Sequence, residues 1–198
     1  MSNGILILVL TVMITIIAIT IGCSNEPGQV GATTLEEQVM RGEYLVTVGG
    51  CHDCHSPKIM TEKGPVIDST RMLSGFRTGS SIPDIPAGAI GPQSWGALAN
   101  HELTAWAGPW GMSFACNLTP DEVTGSGAWL ESSFIGAMRN GKHLGTGRPI
   151  LPPMPWQNIG QLTDEDLRAI FAYFRSLKPI NNMVPLPRPP DKMNPATL

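Results

Sequence analysis

The spacing of hydrophobic residues predicts a helix in the first third of the chain. Thr34 and Glu37 form the Thr-x-x-Glu pattern of an amino-terminal capping box. Apolar residues then recur at near-helical spacing, at Leu35, Val39, Leu45 and Val48. We therefore predict a helix over residues 35–48. Gly42 within it costs about 1 kcal/mol relative to alanine, so we expect this glycine to mark a close crossing with a helix near the other end of the chain.

Two further helices are predicted in the second half of the sequence. Residues 129–140 precede Gly141, a common helix stop, and carry one apolar stripe made of Leu130, Phe134, Ile135 and Met138. Residues 164–177 follow a good N-cap, Thr163, and end before Pro179. One face of this helix is apolar, with Leu167, Ile170, Phe171, Phe174 and Leu177. Its aromatic residues are the expected contact of Gly42.

The segments between the helices are rich in glycine and proline. Residues 57–127 form a long insertion. Within it, the two halves of the segment 102–117 flank the turn-prone tetrapeptide 108–111, a pattern that predicts a short β-hairpin. Residues 148–156 hold four prolines around Met154. Because proline fixes φ and lacks an N–H donor, we expect a stiff, extended loop there. The proline-rich residues 181–198 lack periodicity and are expected to be extended or partly disordered.

The amino terminus predicts export from the cytoplasm. Residues 5–21 are apolar and uncharged, a pattern typical of a signal peptide or a membrane anchor. Ile21-Gly22-Cys23 resembles the end of a bacterial lipoprotein signal, in which the cysteine is acylated after cleavage. Thr20 stands where leucine is usual, and the first four residues contain no Lys or Arg. Lipidation at Cys23 and an uncleaved membrane anchor both stay open, and either one tethers the rest of the chain outside the cytoplasm.

Composition adds little beyond the broad class. The 198 residues are 42% hydrophobic with a net charge of −3, which suits one globular domain with extensions. The 13 Lys and Arg residues are scattered rather than clustered, so nothing indicates nucleic-acid binding.

The five residues Cys51-His52-Asp53-Cys54-His55 match Cys-x-x-Cys-His, the pattern that attaches a c-type haem covalently. Each thiol can add to one haem vinyl group, and the histidine then turns its imidazole onto the iron. A structural zinc site would need a second Cys/His pair at short spacing, and a dithiol redox pair would need a βαβ pattern; the sequence has neither. We predict one covalent haem c at this motif. The remaining cysteine is Cys116. We expect its side chain to act as a small buried hydrophobic group, and we predict no disulfide.

A sixth ligand to the iron is also suggested by the residue types. Met154 is held between prolines, which would limit the entropy lost when a flexible thioether is fixed. Met60 lies too close behind His55 to reach the opposite haem face easily. Met112, and His101 or His143 in a bis-His arrangement, stay open as alternatives.

Candidates to donate a hydrogen bond to a haem propionate are Trp129, Arg148 and Trp156.

The order of these features resembles the class I cytochrome c domain. Several stretches are similar to the cytochrome subunits of membrane-bound alcohol and gluconate dehydrogenases: Arg41-Gly-Glu-Tyr-Leu45, Asn117-Leu-Thr-Pro-Asp121, Thr124-Gly-Ser-Gly-Ala-Trp129, Pro153-Met-Pro155 and Leu162-Thr-Asp-Glu-Asp-Leu167. The resemblance covers about residues 35–180. It implies an all-α domain around one haem, with His55 as proximal and Met154 as distal ligand. Those subunits often carry three haem domains, whereas this chain has a single motif.

The expected organisation is a signal or membrane anchor at 1–23, a linker at 24–34, a cytochrome domain at 35–180 with the 57–127 insertion, and a proline-rich tail at 181–198. Iron bound by His55 and Met154 has no vacant position, so we expect electron transfer rather than catalysis. The expected partners are redox proteins such as a dehydrogenase, an oxidase or another respiratory complex on the periplasmic side of a bacterial membrane. Two alternatives stay open. One is a haem enzyme or gas-binding protein with an open distal site, and the other is a haem-bearing docking subunit.

Overall fold

The structure is a computed structural model and describes residues 33–194. The predicted anchor at 1–23 and its lipidation candidate Cys23 therefore lie outside the described residues. Within 33–194, no helix is long and apolar enough to span a bilayer.

Helices α1 (Leu35–Val48) and α5 (Asp164–Ser176) cross each other. The amino end of α1 carries the predicted capping box, since the Thr34 side chain accepts from the Glu37 backbone and the Glu37 carboxylate accepts from the Thr34 backbone. Thr163 caps α5 by accepting from the Asp166 N–H at 3.1 Å. The crossing lies at Gly42, as predicted. Its closest contact is the Ala169 backbone rather than an aromatic ring.

Helix α3 (Glu131–Asn140) confirms the predicted second helix, which ends at Gly141 in the left-handed conformation (φ 63°). Leu130 is an exposed N-cap rather than part of the buried stripe. Two further α-helices are short, α2 (Cys51–His55) and α4 (Trp156–Ile159), and two 3-10 turns lie at His143–Gly145 and Pro190–Lys192. One hydrophobic core joins α1, α3 and α5. Its buried members are Val46, Leu73, Phe134, Ala137, Met138, Leu167, Ile170, Phe171, Tyr173 and Phe174.

The prediction of an all-α domain is wrong, because the insertion forms two antiparallel sheets. Strands β1 (Lys58–Thr61) and β2 (Gly64–Ile67) pair as a hairpin directly after α2. Strands β3 (Leu98–Ala99), β4 (Ala105–Gly108) and β5 (Gly111–Phe114) form a three-stranded sheet in that order. The protein is thus a mixed α and β structure.

Strand length explains why most of this sheet structure was missed. The predicted hairpin within 102–117 is confirmed, since β4 and β5 pair with Gly108 opposite Gly111. The first hairpin was not predicted, because its four-residue strands expose residues on both faces and so carry no alternation of apolar and polar positions.

The tail after α5 packs onto the insertion in the described residues. The buried Asn182 side chain makes four hydrogen bonds to the segment 71–78: its Nδ2 donates to the Ser74 and Phe76 carbonyls, and its Oδ1 accepts from Arg71 Nη2 and the Thr78 N–H. Further on, Arg188 exchanges backbone hydrogen bonds with Met112 of β5 at 2.8 and 2.9 Å.

Candidate haem-attachment site

The Cys-x-x-Cys-His motif forms the short helix α2. Gly50 before it adopts a left-handed conformation (φ 66°), which lets the chain turn sharply out of α1. Cys51, Cys54 and His55 are spaced i, i+3 and i+4, so helical geometry puts the three side chains on one face. Both cysteines are free thiols and half-buried. One short helix therefore presents two thiols and an imidazole in the same direction.

His55 is buried and its ring orientation is fixed. Its Nδ1 lies 2.8 Å from the backbone carbonyl oxygen of Cys116, 61 residues further along the chain. Because a carbonyl can only accept, Nδ1 carries the proton in this contact and Nε2 keeps its lone pair. Within residues 33–194, Nε2 takes no hydrogen bond. This arrangement, with one ring nitrogen bonded to a carbonyl and the other free, is typical of a histidine that binds a metal.

A second set of hydrogen bonds fixes the backbone around His55. The Gly75 N–H donates to the His55 carbonyl at 2.7 Å. The Ser56 hydroxyl lies 3.0 Å from His52 Nδ1 and accepts from the Leu73 N–H at 2.9 Å. The motif helix is thus held by the segment 71–76, which is itself bonded to Asn182 of the tail.

Lys58 closes the carboxyl end of α2. Its ammonium group donates to the Ser56 carbonyl at 3.0 Å and also contacts the Asp53 carbonyl. A cation at this position stabilises the unpaired carbonyls of a helix end. The same residue begins β1, so the first hairpin is tied directly to the motif.

The two motif cysteines favour the neutral form. Burial raises the pKa of Cys51 to about 11 and also raises the pKa of Cys54 above its ordinary value. At neutral pH both are S–H groups, the form that adds across a vinyl double bond to give a thioether. Among the described residues, no group of three or more His, Cys, Asp or Glu side chains is arranged to hold a metal ion on its own.

Met154 lies half-buried in the proline-rich loop that precedes α4. The loop is held in place by the Ser113 hydroxyl, which donates to the Pro152 carbonyl at 2.6 Å, and by the Ile150 N–H, which donates to the Gly141 carbonyl at 2.8 Å. Met154 and Cys51 both pack against the hydrophobic core described above. The loop and the motif helix therefore border the same core.

The alternative iron ligands occupy different surroundings. Met112 is 2% exposed within β5 and packs in the insertion. Met60 is exposed on the first hairpin. His101 is exposed, with Nε2 3.8 Å from Glu102. His143 is half-buried with its ring edge-on to Trp129 at 4.9 Å, and burial lowers the pKa of this imidazole.

The predicted propionate donors lie near the carboxyl end of α3 or beside His143. Trp156 begins α4 and its ring packs directly over Gly141. Arg148 is exposed, and its Nη1 donates to the Pro149 carbonyl at 3.3 Å. The Trp129 indole contacts the hydrophobic core.

Cys116 differs from its predicted role as a buried hydrophobe. Its side chain is exposed, and its Sγ lies 3.9 Å from His55 Nδ1. Its main contribution is the backbone carbonyl that bonds His55. Sequence reasoning missed this residue as part of the site, because a backbone contact between residues 61 positions apart leaves no side-chain signature.

The described residues fit a covalent c-type haem. The donor set comprises two neutral thiols on one helix face and a buried imidazole with a free Nε2, which is the chemistry that thioether attachment and axial ligation need.

Comparison with known proteins gives a consistent result. No protein-family model matches the chain. The gluconate 2-dehydrogenase cytochrome c subunit of Pantoea cypripedii is 26% identical over 162 residues, which are 82% of this chain and 28% of that subunit. The chain is similar to dehydrogenase cytochrome c subunits. This confirms the similarity to dehydrogenase cytochrome subunits that the sequence motifs predicted.

Two further relatives match shorter regions. The cytochrome c subunit of alcohol dehydrogenase (quinone) from Gluconobacter oxydans is 34% identical over 73 residues, 36% of this chain and 15% of that subunit. The fructose dehydrogenase cytochrome subunit of Gluconobacter japonicus is 32% identical over 78 residues, 39% of this chain and 16% of that subunit. The aligned residues make up less than a third of the length of each relative.

Proposed function

We propose that this chain is a monohaem c-type cytochrome that transfers single electrons. The observation that carries the proposal is the buried His55 ring, held by the Cys116 carbonyl so that Nε2 is free for a metal. Cys51 and Cys54 would bind the haem through thioethers, His55 would be its proximal ligand, and Met154 its distal ligand. When bound, the haem supplies an iron that alternates between Fe²⁺ and Fe³⁺.

The protein's own residues favour electron transfer over substrate chemistry. His55 and Met154 together would fill both axial positions, which leaves no place for a substrate or a gas. Residues 35–180 would form the haem domain with its 57–127 insertion, and residues 181–198 a tail. The buried core behind Cys51 and Met154 would exclude water from the iron.

The proposed setting is a dehydrogenase complex outside the cytoplasm. The named relatives are cytochrome subunits of dehydrogenases, and the apolar residues 5–21 are suited to tethering the chain to a bacterial membrane. Cys23 is the candidate for acylation. Mass spectrometry of the amino terminus of the membrane-extracted protein tests the tether. An acylated Cys23 at the amino end supports lipidation, and an intact segment 1–23 supports an uncleaved anchor.

The ligand set is tested by near-infrared absorption of the oxidised protein. His/Met cytochromes show a weak charge-transfer band from methionine sulfur to iron. We expect this band in the unaltered protein, its loss in Met154→Ala, and its retention in Met112→Ala, the matched control from the insertion. A high-spin iron that binds carbon monoxide in the unaltered protein would contradict a closed, electron-transferring site. Loss of the band in Met112→Ala alone would assign the ligand to the insertion.

A further inference from the structure

Helix α1 exposes a row of apolar side chains on the face opposite its core contact. Met40, Tyr44 and Val48 recur every four residues and so lie along one line of the helix. Their exposed fractions are 56%, 58% and 68%. Gly42 and Val46 face α5 and are buried. The outer row, which we call the α1 stripe, thus lies on the side of α1 that faces away from the core.

The stripe leads directly to the haem-attachment motif. Val48 ends α1, and only Gly49 and Gly50 separate it from Cys51. At 1.5 Å per residue, the stripe from Met40 to Val48 is about 12 Å long. The carboxyl end of the stripe is therefore three residues from the first cysteine of the motif. Electron transfer between proteins needs the partner to bind near the residues that hold the haem.

Tyr44 in the middle of the stripe is held by its neighbours. The Arg41 guanidinium carbon lies 5.6 Å from the centroid of the Tyr44 ring, and Arg41 Nε donates to Asp166 of α5 at 2.9 Å. An exposed aromatic ring that is already ordered loses little entropy on binding. Such residues are frequent at the centre of protein interfaces.

The charges that flank the stripe are acidic. Glu36, Glu37 and Glu43 are the acids of α1, and Asp53 follows in the motif helix; all four are exposed. Within residues 33–194, Glu36, Glu43 and Asp53 take part in no ion pair. The single basic residue of α1, Arg41, is already paired with Asp166. A complementary surface would be apolar at its centre and basic at its rim.

We propose that the α1 stripe docks a redox partner protein whose contact surface is apolar and rimmed by Lys or Arg. This inference rests on the proposed electron-transfer function and names the kind of partner. The exchange moves one electron from the ferrous chain to the ferric or otherwise oxidised partner, with no atom or proton transferred. The acidic rim would speed the encounter, and the apolar row would hold the two proteins in contact.

The test uses a soluble, lysine-rich c-type cytochrome as the probe, with stopped-flow measurement of the second-order rate at which the reduced full-length protein reduces it. We expect Tyr44→Ser and Met40→Ser to lower the rate about fivefold to tenfold. The double variant Glu36→Gln/Glu43→Gln should lower the rate and weaken its dependence on salt. Val123→Ser is the matched control, because Val123 is 77% exposed and belongs to the loop between β5 and α3 rather than to α1. It should leave the rate unchanged.

The outcomes separate this inference from the function on which it rests. If the iron keeps its methionine band and is reduced normally, but none of the α1 variants alters the rate, the docking surface is elsewhere and the inference is overturned. If the same variants instead reduce binding to zwitterionic lipid vesicles with no effect on rate, the stripe contacts a bilayer and the inference is likewise overturned. If the α1 variants abolish self-association in sedimentation equilibrium with no effect on the rate, the stripe contacts a second copy of this chain, and the inference is again overturned. Absence of the methionine band in the unaltered protein would count against the ligand set rather than the surface.

Discussion

Gly42 of α1 lies against the backbone carbonyl of Ala169 in α5, so closely that a side chain at residue 42 would overlap with that oxygen. The added Cβ would also lie 2.8 Å from the Cβ of Tyr173. Glycine weakens a helix, yet here it permits the approach of the two helices that close the core. The close packing of α1 against α5 therefore requires a residue without a Cβ at position 42.

The first prediction concerns this crossing. Gly42→Val should destabilise the protein by about 3 kcal/mol, because both backbones must separate to accommodate the side chain. The free energy of unfolding, measured with guanidinium chloride and circular dichroism, checks it. Gly96→Ala is the control, since a Cβ there meets nothing within 4 Å. Equal stabilities for the two variants would contradict the close crossing.

This crossing also shows how far sequence reasoning extends. The helices, the Thr34 cap and the helix crossing at Gly42 follow from local signals: a period near 3.6, capping side chains, and a glycine inside an apolar pattern. The atoms that Gly42 contacts do not, since the Ala169 backbone stands where an aromatic ring was expected. The insertion lacks such signals, because its short strands are below the window length in which alternation can be recognised. The support of His55 by Cys116 depends on tertiary structure alone.

Gly75 is the second test, because it holds the residues that orient His55. Its N–H donates to the His55 carbonyl, its φ is +77°, and a Cβ on it would lie 2.6 Å from the Cys116 carbonyl carbon and oxygen. Gly75→Ala should cost more than about 2 kcal/mol and displace the Cys116 carbonyl from Nδ1. Weakening that bond lowers the basicity of the imidazole, so the reduction potential should rise.

Gly79→Ala provides the matched control for this variant. Gly79 has a similar backbone conformation (φ +82°), but a Cβ added to it would meet no atom within 4 Å. Gly79→Ala should lower the free energy of unfolding by the backbone strain alone, about 1 kcal/mol. Its reduction potential should be unchanged. Equal potentials for the two variants would show that the Cys116 contact does not tune the iron.

Asn182 is the third test and concerns the tail. Asn182→Ala removes four hydrogen bonds and leaves the buried carbonyls of Ser74 and Phe76, together with the Arg71 guanidinium and the Thr78 N–H, without this partner. A loss of about 2 to 4 kcal/mol is expected. Thermal unfolding followed by circular dichroism in the far ultraviolet measures it. Met183→Ala, an exposed neighbour, should change stability little. A similar loss in both variants would contradict a specific role for the amide.

Acid stability is the fourth test. Hydrogen bonds from the Thr124 hydroxyl and N–H to its carboxylate hold the pKa of Asp121 below the ordinary value. A lowered folded-state pKa means that this contribution is present above about pH 4 and is lost as pH falls through the folded-state pKa. Asp121→Asn should therefore flatten the decline in unfolding temperature below about pH 4. Equal slopes in the unaltered protein and in Asp121→Asn would reject the contribution of Asp121.

The distance along the chain between His55 and Cys116 bears on biogenesis. A polypeptide that crosses a membrane amino end first presents the two thiols and the imidazole before the Cys116 carbonyl, which orients the imidazole. The tail, whose Asn182 holds the segment 71–78, follows last. In the proposed cytochrome, the groups for covalent attachment lie within five residues, whereas the orientation of His55 depends on Cys116 and, through the segment 71–76, on Asn182. Maturation of the proposed cytochrome would therefore divide into an early chemical step and a later conformational one, and a defect in the tail would leave a haem-bearing protein with a misaligned iron.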